Sequence, residues 1–268
     1  MRIGDALPQV FERSYPVVQP TTDLLLAASL LRFHQIDALP IEFKATKKRR
    51  LAVFGYSCLS KLLETRPSDY KNFLKLPAKK AALQLSTVNV DAEISELLSV
   101  FQKTKFGFAW IESEKLGGFA SLRDLLRLYE SGIIETSLKL EDLASPIFSL
   151  SKDTAIKSVL EEMFGRRIRR IFVEGANSVV TDRRIIGHLF SPSWLEQVSM
   201  RPKELLDVKL SDLETFKPPK VRSSLSAANG ARLMRDQIEE CLVCEKGVIT
   251  PWDLLMKPLS LDSLEIKD

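Results

Sequence analysis

The stretch Gly247–Leu255, GVITPWDLL, combines a short apolar strand pattern with a threonine and, three residues later, an aspartate at the start of a predicted helix. A second copy, Gly118–Leu126 (GFASLRDLL), keeps the glycine, the hydroxyl residue and the acid. Ser178–Ile186 (SVVTDRRII) keeps the strand and the hydroxyl residue but has arginine in place of the acid, and Phe54–Leu62 (FGYSCLSKL) keeps only the outline. The chain therefore contains four copies of one strand-to-helix junction.

The spacing of the four junctions indicates a tandem repeat. Their hydroxyl residues are Ser57, Ser121, Thr181 and Thr250, so by subtraction they are separated by 64, 60 and 69 residues. Such periods exceed the roughly 20 to 50 residues of most solenoid repeats. We therefore predict that each copy is a small α/β unit whose apolar face packs against a neighbouring unit.

Each junction follows a predicted helix and strand, so the order helix, strand, strand, helix recurs. Apolar residues at i, i+3, i+4 and i+7 mark the first helix of three repeats. These sets are Leu24, Ala27, Ala28 and Leu31; Ile94, Leu97, Leu98 and Phe101; and Ile156, Val159, Leu160 and Met163. The corresponding fourth helix is predicted to be poorer because Asn229 and Gly230 interrupt it. In the first repeat we expect strands over residues 38–43 and 51–56 and a helix over residues 57–64.

Length and composition are those of a globular protein. The 268 residues are 45% hydrophobic, which is enough for one large domain or two ordinary ones. No apolar run approaches the roughly 18 residues of a membrane span, and Met1–Asp5 lacks the apolar stretch of a secretory signal. We therefore expect a cytoplasmic protein without a membrane partner. The net charge of +4 permits an anionic partner but does not require one.

The three cysteines favour neither a disulfide framework nor a metal site. Cys58, Cys241 and Cys244 are too few and too scattered for such a framework. Cys241 and Cys244 form a C-x-x-C, but the segment has a strand pattern, in which positions three apart point to opposite faces. No second cysteine or histidine pair completes a zinc site, so we expect a structural role and no bound metal.

Four successive units of strand, helix, strand, strand and helix, each with this junction, resemble the cystathionine-beta-synthase (CBS) domain, arranged as two tandem pairs called Bateman modules. The resemblance covers about residues 17–259, and the layout is similar to that of the four-repeat gamma subunit of AMP-activated protein kinase. It implies an α/β (α+β) fold. The first pair would occupy residues 1–135, with units at about 17–65 and 80–132. The second would occupy residues 136–268, with units at about 143–191 and 205–259.

The resemblance implies clefts that bind AMP, ADP, ATP or a related adenosine compound. It assigns ribose binding to Ser121 with Asp124 and to Thr250 with Asp253. A carboxylate can accept hydrogen bonds from both ribose hydroxyls, and a free helix N-terminus favours phosphate. The alternative for the same residues is a capping box, which stabilises a helix without any ligand. Both roles can coexist.

The first and third repeats depart from the family pattern. Ser60 cannot replace a carboxylate that bridges two hydroxyls, and Arg184 has no acceptor, so we expect one competent site in each pair. The resemblance also implies phosphate-binding cations, with solvated surface charge as the alternative. The candidates are His34, Lys105, Arg166 and Arg167, with Arg183 or Arg184 supplying the fourth repeat, which has Asp236 and Gln237 at the matching positions.

Two main functions remain open. The first is a regulatory sensor without catalytic residues, in which an adenosine ligand biases the arrangement of the units and acts through an unknown regulated protein. The second is binding of DNA or RNA, with an affinity that falls steeply with salt. That surface would comprise Lys44, Lys47, Lys48, Arg49, Arg50, Arg166, Arg167, Arg169 and Arg170. A structural scaffold with inactive sites is a third hypothesis. The two pairs could stack within one chain or between the chains of a homodimer.

Overall fold

The computed structural model describes residues 1–12, 15–34, 36–42, 50–113, 117–237 and 239–267. The helices are α1 Ile3–Ala6, α2 Gln9–Glu12, α3 Leu24–His34, α4 Gly55–Glu64, α5 Tyr70–Leu74, α6 Ile94–Thr104, α7 Leu122–Glu130, α8 Leu140–Leu143, α9 Ile156–Arg166, α10 Asp182–Leu189, α11 Pro192–Met200, α12 Ala227–Arg235 and α13 Pro251–Ser260. The strands are β1 Ala38–Pro40, β2 Arg50–Phe54, β3 Ala82–Leu85, β4 Thr87–Asn89, β5 Phe108–Glu112, β6 Gly117–Ser121, β7 Ile134–Glu135, β8 Ser149–Leu150, β9 Arg170–Val173, β10 Val179–Thr181, β11 Leu242–Cys244, β12 Gly247–Ile249 and β13 Glu265–Ile266.

One structural unit recurs four times: a helix, an antiparallel pair of strands and a second helix. The strand pairs are β1 with β2, β5 with β6, β9 with β10 and β11 with β12. The second helix of each unit, α4, α7, α10 or α13, starts within one residue or so of the last strand. The predicted α/β fold with four repeats is therefore confirmed.

The chain forms two compact units, each built from alternate repeats. The even unit, with the second and fourth repeats, comprises Met1–Ser14, Leu85–Ile147 and Pro218–Asp268. The odd unit, with the first and third repeats, comprises Tyr15–Gln84 and Phe148–Lys217. In the even unit α7 packs against α12 and α13, and in the odd unit α4 packs against α9 and α10. The division expected at residue 135 groups neighbouring repeats, whereas these contacts join alternate repeats.

The apolar helix faces predicted from the sequence lie in the cores of these units. The four residues of the α3 set are at most 2% exposed, those of the α6 set are fully buried, and those of the α9 set are at most 1% exposed. Each buried leucine or isoleucine contributes roughly 1.5 to 3 kcal/mol of transfer free energy. Among the described helices, none combines the length and the apolarity needed to cross a membrane.

The first junction lies three residues earlier than predicted. The strand β2 ends at Phe54 and α4 begins at Gly55, so Phe54 takes the N-cap place that Ser121, Thr181 and Thr250 take in the other repeats. Ser57, rather than Ser60, therefore matches the acid position. Its hydroxyl accepts a hydrogen bond from the Phe54 N–H at 3.0 Å and donates one to the Phe54 carbonyl at 2.8 Å. The apolar run across this boundary hid the helix start from sequence reasoning.

The remaining local predictions meet the structure in different ways. The strands expected over residues 38–43 and 51–56 are observed as Ala38–Pro40 and Arg50–Phe54, and residues 43–49, with most of the basic turn, lie outside the described residues. The helix α12 is continuous, so the expected interruption was wrong. Gly230 is a packing requirement there, because a Cβ at this position would lie 2.7 Å from a methyl carbon of Leu140.

The glycine of the junction lets a second segment approach the hairpin closely. At Gly247, where φ is +146°, a Cβ would overlap the carbonyl oxygen of Ser145. The backbones of Ser145 and Val248 exchange two hydrogen bonds of 2.8 and 2.9 Å at this point. At Gly118, the equivalent position, a Cβ would lie 2.8 Å from the carbonyl oxygen of Val10. The segments that precede the first and third repeats therefore lie against the hairpins of the second and fourth.

Gly247→Ala should destabilise the even unit by at least about 2 kcal/mol, because alanine is strained at this φ and its methyl group would displace the backbone of Ser145. Gly165→Ala is the matched control. Gly165 lies inside α9 with nothing within 4 Å of the added Cβ, so this change should be neutral or stabilising by up to about 1 kcal/mol. Urea unfolding measures both values, and an unchanged midpoint for the Gly247 variant would contradict the packing account.

Candidate functional site

Two hydroxyl and carboxylate pairs lie at helix N-termini in the even unit. The N–H and the hydroxyl of Ser121 donate to one oxygen of Asp124 at 2.9 and 2.8 Å. The N–H and the hydroxyl of Thr250 donate to one oxygen of Asp253 at 2.9 and 2.7 Å. The backbone N–H of the acid returns a bond to the hydroxyl at the second junction, at 3.4 Å. Both pairs therefore have capping geometry, which stabilises α7 and α13.

These carboxylates are unusually well buried for acidic side chains. Asp124 is 0% exposed and Asp253 is 4% exposed. Burying an ionised carboxylate is costly unless hydrogen bonds or cations replace its water. The capping bonds supply part of this compensation at both junctions, so the sequence pattern specifies a pre-positioned carboxylate at each helix N-terminus.

Asp253 has further partners that sequence reasoning missed. Its second oxygen accepts a hydrogen bond of 2.6 Å from the Ser145 hydroxyl and lies 3.1 Å from the Lys257 ammonium group. Lys257 also donates to the carbonyl oxygen of Leu143 at 2.6 Å and to the Ser145 hydroxyl at 2.9 Å. Four donors therefore surround a carboxylate that has about four acceptor positions. Lys257 lies four residues after Asp253, which is a readable helix spacing, but nothing local connects Ser145 to it.

The structure brings one predicted phosphate-binding cation to the fourth junction. Lys105 ends α6 in the left-handed conformation, with φ of +59°. Its ammonium group lies 5.8 Å from the ring centre of Trp252, the residue immediately before Asp253. A cation from the second repeat is thus placed beside the junction of the fourth, which lacks a cation at the matching positions of its own sequence.

An arginine also crosses between the repeats of the even unit. The Arg123 guanidinium lies 3.3 Å from the carboxylate of Glu240 and donates to the carbonyl oxygen of Arg235 at 2.9 Å. Arg235 in turn pairs with Glu130. These contacts join the helix of one junction to the segment that precedes the hairpin of the other.

The odd unit has a charge cluster of Asp37, Arg169, Asp182 and Arg183 at the corresponding place. Arg183 lies 3.0 Å from Asp37, which repeats the relation of Arg123 to Glu240. Arg169 adds contacts of 2.7 Å to Asp37 and 2.8 Å to Asp182. The side chains of the two aspartates are 14% and 4% exposed. Two guanidinium groups and two carboxylates therefore balance one another in a largely buried position.

The charges of this cluster stabilise each other's ionised forms. Burial alone would raise the pKa of the Asp37 carboxyl, but the guanidinium groups of Arg169 and Arg183 outweigh it and hold that pKa well below its usual value. Burial likewise opposes the charge on Arg169, whereas Asp182 and Asp37 raise its pKa. A small cleft beside the cluster is lined in part by Arg32, Asp37, Asp182 and Arg183.

The other predicted cations all lie in the odd unit. The backbone N–H of Arg184 donates to the Thr181 hydroxyl at 3.2 Å, and its guanidinium group pairs with Glu214. Arg166 donates to Glu162 at 2.6 Å and stacks 4.0 Å from the ring centre of Phe148. Arg167, with φ of +57°, and His34 are exposed ends of α9 and α3. Their phosphate-binding roles stay predictions.

The basic surface predicted for nucleic acid is only partly described. Residues 44–49 lie outside the described residues, and Arg169 is held in the charge cluster by two carboxylates. Arg169 is therefore directed to an internal ion pair rather than to a phosphate backbone. This removes one of the four arginines on which that prediction relied.

The cysteines are buried free thiols. Cys58, Cys241 and Cys244 form no disulfide among the described residues. Burial raises the pKa of Cys58 to about 12, so its reactive thiolate form is scarce at neutral pH. Within the described ranges, no three His, Cys, Asp or Glu side chains lie together in a way that could hold a metal ion.

Acid should destabilise the odd unit through Asp37. Because its folded-state pKa lies below the unfolded value of about 4, the carboxylate contributes stability above that pH, and this contribution is lost as the pH falls toward the folded pKa. Asp37→Asn should cost about 3 to 5 kcal/mol at neutral pH, since two guanidinium groups lose a counter-charge.

The same variant should flatten the pH dependence of the unfolding free energy between about pH 3 and 5. Asp69→Asn, at an exposed position of the odd unit, is the control and should leave that dependence nearly unchanged. Urea titrations at several pH values measure both. A wild-type slope in the Asp37 variant would show that the cluster does not carry the acid sensitivity.

The fold is shared with solved structures of other proteins. A protein from Methanocaldococcus jannaschii, a proposed archaeal homologue of g-AMPK, has a TM-score of 0.81 at 17% identity, over 96% of this chain and 99% of that one. An uncharacterised conserved protein from Pyrococcus horikoshii covers the same shares, with a TM-score of 0.55 and 11% identity. CBSX2 in complex with AMP covers 48% of this chain and 96% of its own, with a TM-score of 0.39 and 17% identity.

No family model matches the chain, and no curated protein is similar to it in sequence. At these identities the structural likeness establishes the fold. The tandem CBS layout predicted from the four junctions is confirmed at that level.

Proposed function

We propose that this chain is a regulatory module that binds an adenosine ligand of the AMP, ADP or ATP type through the junction carboxylates of the even unit, and that it acts through a partner protein. The observation that carries the proposal is the pair of buried carboxylates, Asp124 and Asp253, each held beside a hydroxyl at a helix N-terminus in a tandem CBS fold. No catalytic residue is part of the proposal.

The chemistry of the two junctions suits a nucleoside. A carboxylate oxygen can accept hydrogen bonds from adjacent ribose hydroxyls, while Ser121 or Thr250 donates or accepts beside it. The N-termini of α7 and α13 add backbone donors and a field that favours phosphate. Lys105, which reaches the fourth junction from the second repeat, supplies a cation for that phosphate.

The two junctions should differ in affinity. Asp253 already accepts bonds from Ser145 and Lys257 on the oxygen that the capping bonds leave open, so a ribose must displace the Ser145 hydroxyl there. We assign the tighter site to Asp124 and the weaker one to Asp253. A ligand that favours one arrangement of the units would shift their equilibrium by its difference in affinity for the two arrangements.

Replacing Asp124 with alanine should abolish the tighter binding event, because the ribose loses its acceptor. Calorimetric titration of the whole chain with AMP, ADP, ATP, S-adenosylmethionine and NAD measures this, after any nucleotide that co-purifies has been removed. Asp142→Ala is the matched control. Asp142 accepts the same kind of capping bond, from the Lys139 N–H at 2.8 Å at the start of α8, but it belongs to no junction.

The capping role and the binding role give different patterns. If Asp124 only caps a helix, both variants lose stability and neither changes nucleotide affinity, which would overturn the proposed function. Loss of binding in the Asp124 variant alone, with a thermal unfolding midpoint close to that of the Asp142 variant, supports it. Salt-sensitive binding of DNA or RNA without nucleotide binding would instead support the nucleic-acid hypothesis.

Ser145→Ala should strengthen binding at the fourth junction. The change removes a competing donor from Asp253 while Lys257 keeps its contact with the carboxylate. We expect the weaker of two binding events to tighten by about threefold to tenfold, in line with roughly 1 kcal/mol for one hydrogen bond. Calorimetry with AMP on this variant and on Asp253→Ala measures the effect. Equal affinities in the Ser145 variant and the natural chain would show that Ser145 does not compete with a ligand.

A further inference from the structure

The outer face of α3 is apolar although it is exposed. Leu26 and Phe33 are 53% and 80% exposed, and Leu30 between them is half-buried. Their spacing of i, i+4 and i+7 places them on one stripe, opposite the buried set that begins with Leu24. Single exposed apolar residues are ordinary, but an aligned stripe that includes a phenylalanine is typical of an interaction surface.

The equivalent helices of the other repeats lack this stripe. The buried sets align the four helices position by position. The positions of Leu26 and Phe33 are occupied by Glu96 and Lys103 in α6, by Ser158 and Gly165 in α9, and by Asn229 and Asp236 at α12. The repeat fold therefore does not require apolar residues there, so their presence in α3 needs a separate physical reason.

Charge is also concentrated around this helix. Residues 15–84 contain 12 Lys and Arg against 5 Asp and Glu, a net charge of +7, whereas the remaining residues contain 27 against 30, a net charge of −3. The segment that carries the exposed Lys71, Lys75, Lys79 and Lys80 passes the start of α3, where the Leu24 N–H donates to the Leu76 carbonyl at 2.8 Å. Within the described part of the chain, none of these four lysines forms a salt bridge.

We infer that the stripe of Leu26, Leu30 and Phe33 is a docking surface for an acidic amphipathic helix of another protein. The apolar side chains of such a helix would cover the stripe, and its carboxylates would face the surrounding cations. A second copy of this chain fits poorly, since it would bring a second charge of +7 against the first. Nucleic acid has no apolar face of this kind to cover leucine and phenylalanine. The inference goes beyond nucleotide binding, because the stripe shares no residue with the junction carboxylates.

A pair of designed peptides tests the surface. One is a labelled helical peptide with leucines at i, i+3, i+4 and i+7 and glutamates elsewhere, and the other has lysine in place of every glutamate. Fluorescence anisotropy with the full chain should show binding of the acidic peptide alone, weakened by added salt. The double change Leu26→Ser with Phe33→Ser should weaken that binding by at least about tenfold. Met200→Ser, at a 72% exposed position of the odd unit, is the control and should leave it unchanged.

Three more measurements distinguish docking of an acidic helix from nucleotide binding, membrane binding and self-association. The Asp124→Ala variant should bind the acidic peptide as the natural chain does, so a failure of nucleotide binding would not be mistaken for a failure of docking. Equal binding of both peptides, or no effect of the double change, would overturn the inference. So would binding of phosphatidylserine vesicles, or a concentration-dependent dimer, that the double change abolishes, because the stripe would then serve a membrane or a second copy.

Discussion

The residue three positions into each junction helix holds the end of the preceding strand, and much of the fold depends on that hydrogen bond. Asp124 and Asp253 bind the backbone N–H at the end of the hairpin, and the Ser57 hydroxyl does so in the first repeat. The third repeat differs, because the Thr181 side chain accepts the bond from the Arg184 N–H instead. Each bond fixes the angle between the hairpin and the helix that follows, and that angle sets which helices of alternate repeats can pack together.

The same constraint divides the labour between the two units. The even unit contains both repeats that use a carboxylate for this bond, and the odd unit contains both that do not. Where the even unit has Arg123 on Glu240, the odd unit has Arg183 on Asp37, joined by Arg169 and Asp182. A neutral cluster of mutually paired charges is a structural solution that leaves little charge for a ligand. The contrast favours nucleotide recognition in the even unit and stability or docking in the odd unit.

Sequence periodicity predicts what is local and repeated. The buried faces of α3, α6 and α9 and the capping pairs at Ser121 and Thr250 follow from spacing of about one helical turn. The start of α4 was missed by three residues because Phe54–Tyr56 continues the apolar run of a strand. The contacts of Ser145 with Asp253 and of Lys105 with Trp252 join residues more than 100 positions apart, and no local pattern encodes them. The packing of alternate repeats was unforeseen for the same reason.

Hydrogen exchange of backbone amides, measured by mass spectrometry with and without AMP, tests the central claim most directly. If the junction carboxylates of the even unit hold the ribose, AMP should slow exchange at the starts of α7 and α13, in peptides that cover residues 121–124 and 250–253. Exchange at the starts of α4 and α10 should change little. Protection confined to α4 and α10, or none anywhere at saturating AMP, would contradict the account and leave the four junctions as helix caps alone.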